Sequence, residues 1–218
     1  MITTLLLSLA LSAQDAGAAI QDDLSEPAIA ASMTEDERAE TLAAINAALN
    51  GIDTLQARFV QTAPDFSTAT GTLSVRRPGR LRFEYDEPTP MLIVSDGTTV
   101  AVRDTALETT DRVPLRSTPL WWILADDVDI GRDAFVREVW EQDGFIHVGI
   151  EDRGEEVEGN ALFLFDADTY LLSQWFVTDA AGMTTRIALE GVETGVSFDP
   201  RLFVLDDEDE RDDRRRGR

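Results

Sequence analysis

The chain contains no cysteine and no lysine, and its one histidine is His147. Without cysteine there is no thiol catalysis, no thiolate metal site, no disulfide and no lipid-modified N-terminal cysteine. Without lysine there is no Schiff-base chemistry and no lysine-dependent phosphoryl transfer; all 19 basic residues are arginine. A single imidazole is a poor basis for a metal site, and no serine sits in a G-x-S-x-G elbow. Positive charge is scarce as well: 42 acidic residues against 19 basic ones leave a formal net charge of -23. Such a balance disfavours nucleic acid and anionic bilayers as partners. No apolar run reaches the ~20 residues that a membrane-spanning helix needs.

With 218 residues, 43% of them hydrophobic, the chain has the material for one large core. The Leu-rich run over residues 2–13, followed by Ala16-Gly17-Ala18, has the layout of a secretory signal peptide, so residues 1–18 are expected to be removed on export. Residues 19–33 are small, acidic and Pro-containing and read as a flexible leader. Residues 34–205 form the single domain, and 206–218 (DDEDERDDRRRGR), lacking any apolar side chain, read as a disordered, solvated tail.

The domain opens with a helix signal. Thr34-Glu35-Asp36-Glu37 fits a capping box, Leu42, Ile45, Leu49 and Ile52 follow at helical spacing, and Asn50-Gly51 marks the stop. After it the period becomes two. Leu55, Ala57 and Phe59 share one parity, as do Leu73 and Val75, and then Leu81, Phe83 and Tyr85. Met91–Val94 runs into Asp96-Gly97, a hairpin signal from which Val100–Val102 returns. Further strands are expected at 109–113, 135–140, 145–150, 162–165, 171–178 and 183–192. About ten strands joined by tight turns describe an antiparallel meander with one wet face and one face to be covered.

Thr118-Pro119-Leu120-Trp121-Trp122-Ile123-Leu124-Ala125 supplies a cover. Thr118 is the expected N-cap and Pro119 the first helical residue, and the helix that follows has no polar face. Two placements satisfy it: a plug in a closed barrel, or a lid across the open face of a curved sheet, lining an apolar cavity.

Polar constellations that could carry chemistry are sparse. His147 lies opposite Ile146, Val148 and Ile150 and reads as plain surface. Asp126, Asp127 and Asp129 lack the glycine and terminal glutamate of a calcium loop. Asp104, Asp111 and the Glu155, Glu156, Glu158 run read as solvated loop charges. No catalytic residue, metal or cofactor is assigned, and the protein is not expected to be an enzyme. The unusual stretch is Arg76-Arg77-Pro78-Gly79-Arg80-Leu81-Arg82, four arginines in a hairpin of an acidic protein. Arg80 and Arg82 share the polar face of their strand. Arg77, beside the Pro-Gly turn, points along the rim, where a guanidinium with five donors can pair with carboxylates or reach free carbonyls of a loop.

Phe59-Val60-Gln61-Thr62, the block Gly71 to Tyr85, Pro88, Pro90 and Ile93-Val94-Ser95-Asp96-Gly97 closely resemble the outer-membrane lipoprotein carrier family, LolA. Thr118-Pro119-Leu120 and Phe198 to Phe203 also look like that family, so the resemblance runs from about Leu42 to Leu205. It implies a mainly β fold with a few α-helices: a half-open, curved antiparallel β-barrel covered by a helical lid over an apolar cavity. It also implies a periplasmic, monomeric carrier that takes acylated lipoproteins from an inner-membrane lipoprotein-releasing ABC transporter to an outer-membrane receptor. The family's functional arginine carries over to Arg77, which would bond to lid backbone in the closed form, and the family's aromatic position to Phe83. The cavity walls would be Phe59, Leu73, Val75, Leu81, Phe83, Tyr85 and Ile93 from the sheet, with Leu120, Trp121, Ile123 and Leu124 from the lid. The alternative is a regulatory domain of the same fold that senses lipid or lipoprotein.

Overall fold

Eleven antiparallel strands form one sheet in the computed structural model, which describes residues 33–153 and 159–204. The expected signal peptide, nearly all of the leader, the 155–158 acidic run and the charged tail lie outside the described residues. The first half of the sheet is β1 (Thr54–Thr62), β2 (Thr68–Arg76), β3 (Arg80–Tyr85), β4 (Met91–Asp96), β5 (Thr99–Asp104) and β6 (Thr109–Pro114). The second half is β7 (Ala134–Gln142), β8 (Phe145–Asp152), β9 (Asn160–Asp166), β10 (Leu172–Thr178) and β11 (Thr184–Thr194). Their order, β6-β5-β4-β3-β2-β1-β11-β10-β9-β8-β7, is two meanders fused through the first and last strands. The free edges are therefore β6 and β7, neighbours in sequence that do not pair. The barrel is curved and open along that one seam. Register shifts in β1, β7 and β10 bend the sheet further.

Helix α1 (Glu35–Asn50) starts where the capping box places it: Thr34 Oγ1 accepts from the Glu37 N–H at 3.3 Å, and Glu37 Oε2 accepts from the Thr34 N–H at 2.8 Å. Its Ile45 and Leu49 are buried against the inner face of the sheet. Met33, just ahead of the cap, is partly buried and packs on the same core.

Residues 115–133 connect the two free edges: a 3₁₀ turn (Leu115–Ser117), α2 (Trp121–Leu124) and α3 (Ile130–Asp133), the last packed on β7. Here the structure departs from the sequence reading. The Thr118 hydroxyl donates to the Leu115 carbonyl at 2.7 Å and closes the preceding turn, so it is not an N-cap. The helix begins later, after Leu120, and lasts one turn with no side-chain cap. Helix α3 has no apolar periodicity to announce it. Asp129 caps it by accepting from the Arg132 N–H at 3.1 Å, while Asp127 pairs with Arg132 at 3.0 Å.

The outer face is not uniformly wet either. A 3₁₀ turn at Pro200–Phe203 packs across β3 and β4, where Phe203 and Val94 are buried. Arg82, on that face, is bonded to Glu84 at 2.9 Å and reaches the Leu202 carbonyl at 3.4 Å. His147 is likewise no plain surface residue: its ring stacks on Trp140 with centroids 4.6 Å apart, and its Nδ1 is buried without a hydrogen-bond partner. Burial holds its pKa below the ordinary histidine value.

Candidate functional site: an apolar cavity under a clasped lid

Between the inner face of the sheet and the α1–α2 layer lies a cavity of about 60 Å³. Leu73, Val75, Leu81 and Phe83 line it from β2 and β3, Leu120, Ile123 and Leu124 from the lid. A second cavity of about 30 Å³ adjoins it and is lined by Phe83, Tyr85, Ile93 and Leu120 together with Gln61 and Thr118. Phe83, Leu120 and Trp175 line both and so form the waist between them.

The inward rows of three strands meet as an aromatic cluster. Phe59 packs edge-on against Phe83 at 5.1 Å and Tyr85 at 5.0 Å, and Phe83 meets Trp175 at 6.3 Å. Room for Phe59 comes from its cross-strand partner Gly71: a Cβ there would lie 2.5 Å from the ring and 2.2 Å from the Glu84 carbonyl. Two of the expected wall residues do not line either cavity. Phe59 is buried behind Phe83 and Tyr85, and Trp121 is partly buried against the core, with the Arg116 guanidinium 4.4 Å from its ring centroid.

Sequence reasoning missed the other half of the larger wall: Leu49 and Ile52 at the end of α1, Leu55 on β1, and Leu172, Trp175 and Leu189 on β10 and β11. Leu49, Ile52 and Leu55 already stood out by period. The β10 and β11 residues could be assigned only once β11 was known to pair with β1 and β10 with β11.

At one end of the cavity Arg77 ties sheet to lid. Its Nη2 donates to the Ala125 carbonyl at 2.6 Å, to Asn50 Oδ1 at 2.8 Å and to the Asp126 carbonyl at 3.3 Å. Its Nε also reaches Ala125 O, at 3.2 Å, and its Nη1 donates to the Leu49 carbonyl. The acceptors lie at and just beyond the C-terminal ends of α1 and α2, where an arginine fork can meet several oxygens at once; the Leu49 carbonyl also accepts from the Ile52 N–H at 3.2 Å. Burial lowers the Arg77 pKa, opposed by the nearby Asp126, Asp53 and Asp127 carboxylates. The same turn adds a backbone bond, from Gly79 N–H to the Leu124 carbonyl at 2.8 Å.

Over residues 50–206 the sequence matches the family "Outer membrane lipoprotein carrier protein LolA". The chain belongs to this family. Among LolA relatives, the outer-membrane lipoprotein carrier protein of Chromobacterium violaceum is 28% identical over 189 residues, covering 84% of this chain and 91% of its own. That of Alkalilimnicola ehrlichii is 30% identical over 183 residues, covering 77% and 80%. A solved structure of a DUF1329 family protein from Desulfovibrio piger, 11% identical, superposes with a TM-score of 0.50 over 76% of this chain and 96% of that one, a likeness of fold.

Within this LolA-family chain the lid behaves as one bonded unit. Asn50 Nδ2 donates to the Val128 carbonyl at 2.9 Å, and its Oδ1 accepts from the Val128 N–H at 2.9 Å. One turn earlier, Asn46 Oδ1 accepts from the Ile130 N–H at 3.1 Å. Two asparagines four residues apart on α1 thus hold the 128–130 backbone, and Arg77 holds both parts to the sheet. Around the cavity no titratable pair is arranged for proton transfer. Arg77 borders the larger cavity and Tyr85 the smaller one, and burial raises the Tyr85 pKa.

Proposed function

We propose that this protein is a periplasmic lipoprotein carrier. It binds the acyl chains of lipoproteins released by an inner-membrane ABC transporter and delivers them to an outer-membrane receptor. The supporting observation is an apolar cavity closed by hydrogen bonds from a single arginine to helix-end carbonyls. Apolar walls hold acyl chains at about 0.8 kcal/mol per buried CH₂, and a bonded lid gives a means of release.

The closed cavity is too small for that cargo. Drug-sized ligands occupy pockets of roughly 300–1,000 Å³, against about 60 Å³ here. Uptake therefore requires α1 and the α2–α3 segment to lift from the sheet, which breaks the Arg77 bonds. Closing restores them and expels the chains. The large excess of acidic over basic residues, 42 against 19 in the full chain, keeps the carrier off anionic bilayers between the two transfers. Export depends on the N-terminal segment, with cleavage after Ala18, and the mature protein acts as a monomer without cofactor.

The test is native mass spectrometry of the purified mature chain with a diacylated lipopeptide. One lipopeptide per chain is expected, and Val75→Phe, which fills the larger cavity from β2, should abolish uptake. Undiminished uptake by that variant overturns the reading.

A further inference from the structure

The smaller cavity breaks the apolar pattern of its surroundings. On β1 the inward row Ala57, Phe59 continues to Gln61, and on β3 the row Leu81, Phe83 continues to Tyr85. Two polar side chains therefore face each other beyond the aromatic waist. Tyr85 Oη donates to Gln61 Oε1 at 2.6 Å. No described residue accepts from the Gln61 amide nitrogen, and Thr118, the third polar lining residue, spends its hydroxyl hydrogen on the Leu115 carbonyl.

Donor arithmetic sets what this spot can bind. With the amide as placed, both Nε2 hydrogens are free. With the amide turned over, one N–H points at the Tyr85 oxygen, leaving the other N–H and the phenolic hydrogen. Either way two donor hydrogens remain in a compartment walled by Phe83, Ile93, Leu120, Trp175 and Ile187. An unmatched donor in such surroundings is costly, so the site favours a small group that can accept. Gln61 and Tyr85 both stand on strands of the sheet, so their pairing does not depend on the lid residues Thr118 and Leu120 that lift on uptake.

Resting on the carrier reading, we infer that Gln61 donates to the carbonyl oxygen that joins an acyl chain to its lipoprotein. With the lid lifted, the carbonyl sits beside Gln61 and the hydrocarbon runs along the inner face past Phe83 towards the larger cavity. From Tyr85 back to Leu81 along β3 is roughly 13 Å at 3.3 Å per residue, so the chain lies along the sheet towards the Arg77 end. The cavity then distinguishes acyl linkages from plain alkyl chains of equal length. Gln61 is a specificity residue at the non-hydrocarbon end of the cargo.

The experiment compares three lipopeptides of equal chain length: two O-acyl chains, two O-alkyl ether chains, and an N-acyl chain on an O-alkyl backbone. Binding to the wild-type mature protein is measured by titration calorimetry. At least one carbonyl-bearing ligand should bind roughly 2- to 10-fold tighter than the all-ether ligand, the worth of one net hydrogen bond. Preference for the ester assigns the O-acyl carbonyl, and preference for the N-acyl hybrid assigns the amide. Gln61→Leu should bring all three affinities together without weakening the ether. Equal wild-type affinities overturn the inference while leaving the carrier reading intact, and this comparison needs no variant. A preference that survives in a folded Gln61→Leu protein also overturns it. Failure of all three ligands to bind the wild type refutes the carrier reading, and this inference with it.

Discussion

Arg77 and Ala125 stand 48 residues apart, yet both Nε and Nη2 of Arg77 converge on the Ala125 carbonyl, at 3.2 and 2.6 Å. The carbonyl belongs to the residue that ends α2, and the arginine to the turn that opens β3. One side chain therefore couples the position of the lid to the rim of the sheet. Because bonds to a charged donor are worth about 1.5–3 kcal/mol each, the closed state is sensitive to this residue.

Arg77→Leu is expected to fold, to accept lipoprotein from inner-membrane vesicles, and to fail at hand-over to the receptor, because the one remaining backbone bond from Gly79 to Leu124 is too weak a clasp to expel cargo. Loss of even one such bond shifts the lid toward open by about tenfold or more. Arg80→Leu, on the outer face of β3, should transfer like wild type. A two-step transfer assay reads both, and equal delivery by the two variants refutes the gating role of Arg77.

Asn50 is expected to matter almost as much, although it touches no cavity volume. Its amide satisfies both backbone groups of Val128, which is buried, and accepts a bond from Arg77. Asn50→Ala leaves those groups unmatched at about 1–3 kcal/mol each. Hydrogen exchange should show the Val128 amide losing protection while the β1–β2 amides keep theirs. Asn50→Asp, retaining the acceptor but not the donor, should fall between.

Gly71 faces Phe59 across β1 and β2, and a Cβ at that position collides with both the ring and the Glu84 carbonyl. We expect Gly71→Ala to cost about 1–3 kcal/mol as an overpacked site, a Tm decrease of roughly 3–10 °C. Gly131→Ala is the control: its Cβ meets only Asp129 Oδ1 at an ordinary 3.6 Å, inside a helix that alanine favours. Thermal melts followed by circular dichroism decide it.

His147 gives the protein a mild acid sensitivity unconnected with cargo. Its folded pKa lies below the ordinary value because burial outweighs the Gln142 backbone hydrogen bond and the Asp143 charge, both of which favour the protonated ring. The unfolded chain therefore takes up the proton first. Stability is complete above about pH 7 and declines as pH falls through the unfolded histidine value near 6.5. His147→Phe should flatten that slope in urea titrations at pH 5.5 and 7.5 while leaving transfer unchanged. Asp86 and Asp166, held low by hydrogen bonds to their ionised forms, act in a separate window: their contribution is present above about pH 4 and lost below it.

Local signals determined the local structure. The Thr34–Glu37 capping box, the alternation of Leu81, Phe83 and Tyr85, and the turn Asp143-Gly144, where both residues take positive φ (53° and 80°), each act within a few residues. The resemblance carried by the Arg-Pro-Gly-Arg block added the global shape that such signals lack. Only the tertiary structure decided that β1 pairs with β11 and leaves the seam between β6 and β7 for the lid. Period two says which face a residue takes and nothing about which strand lies beside it. The same limit hid Leu172, Trp175 and Leu189 as wall residues, kept the Pro200–Phe203 turn from being placed over β3, and made Gln61 look like an ordinary polar residue. Gln61 stands out only when Tyr85, 24 positions along the chain, is brought within 2.6 Å inside an apolar wall.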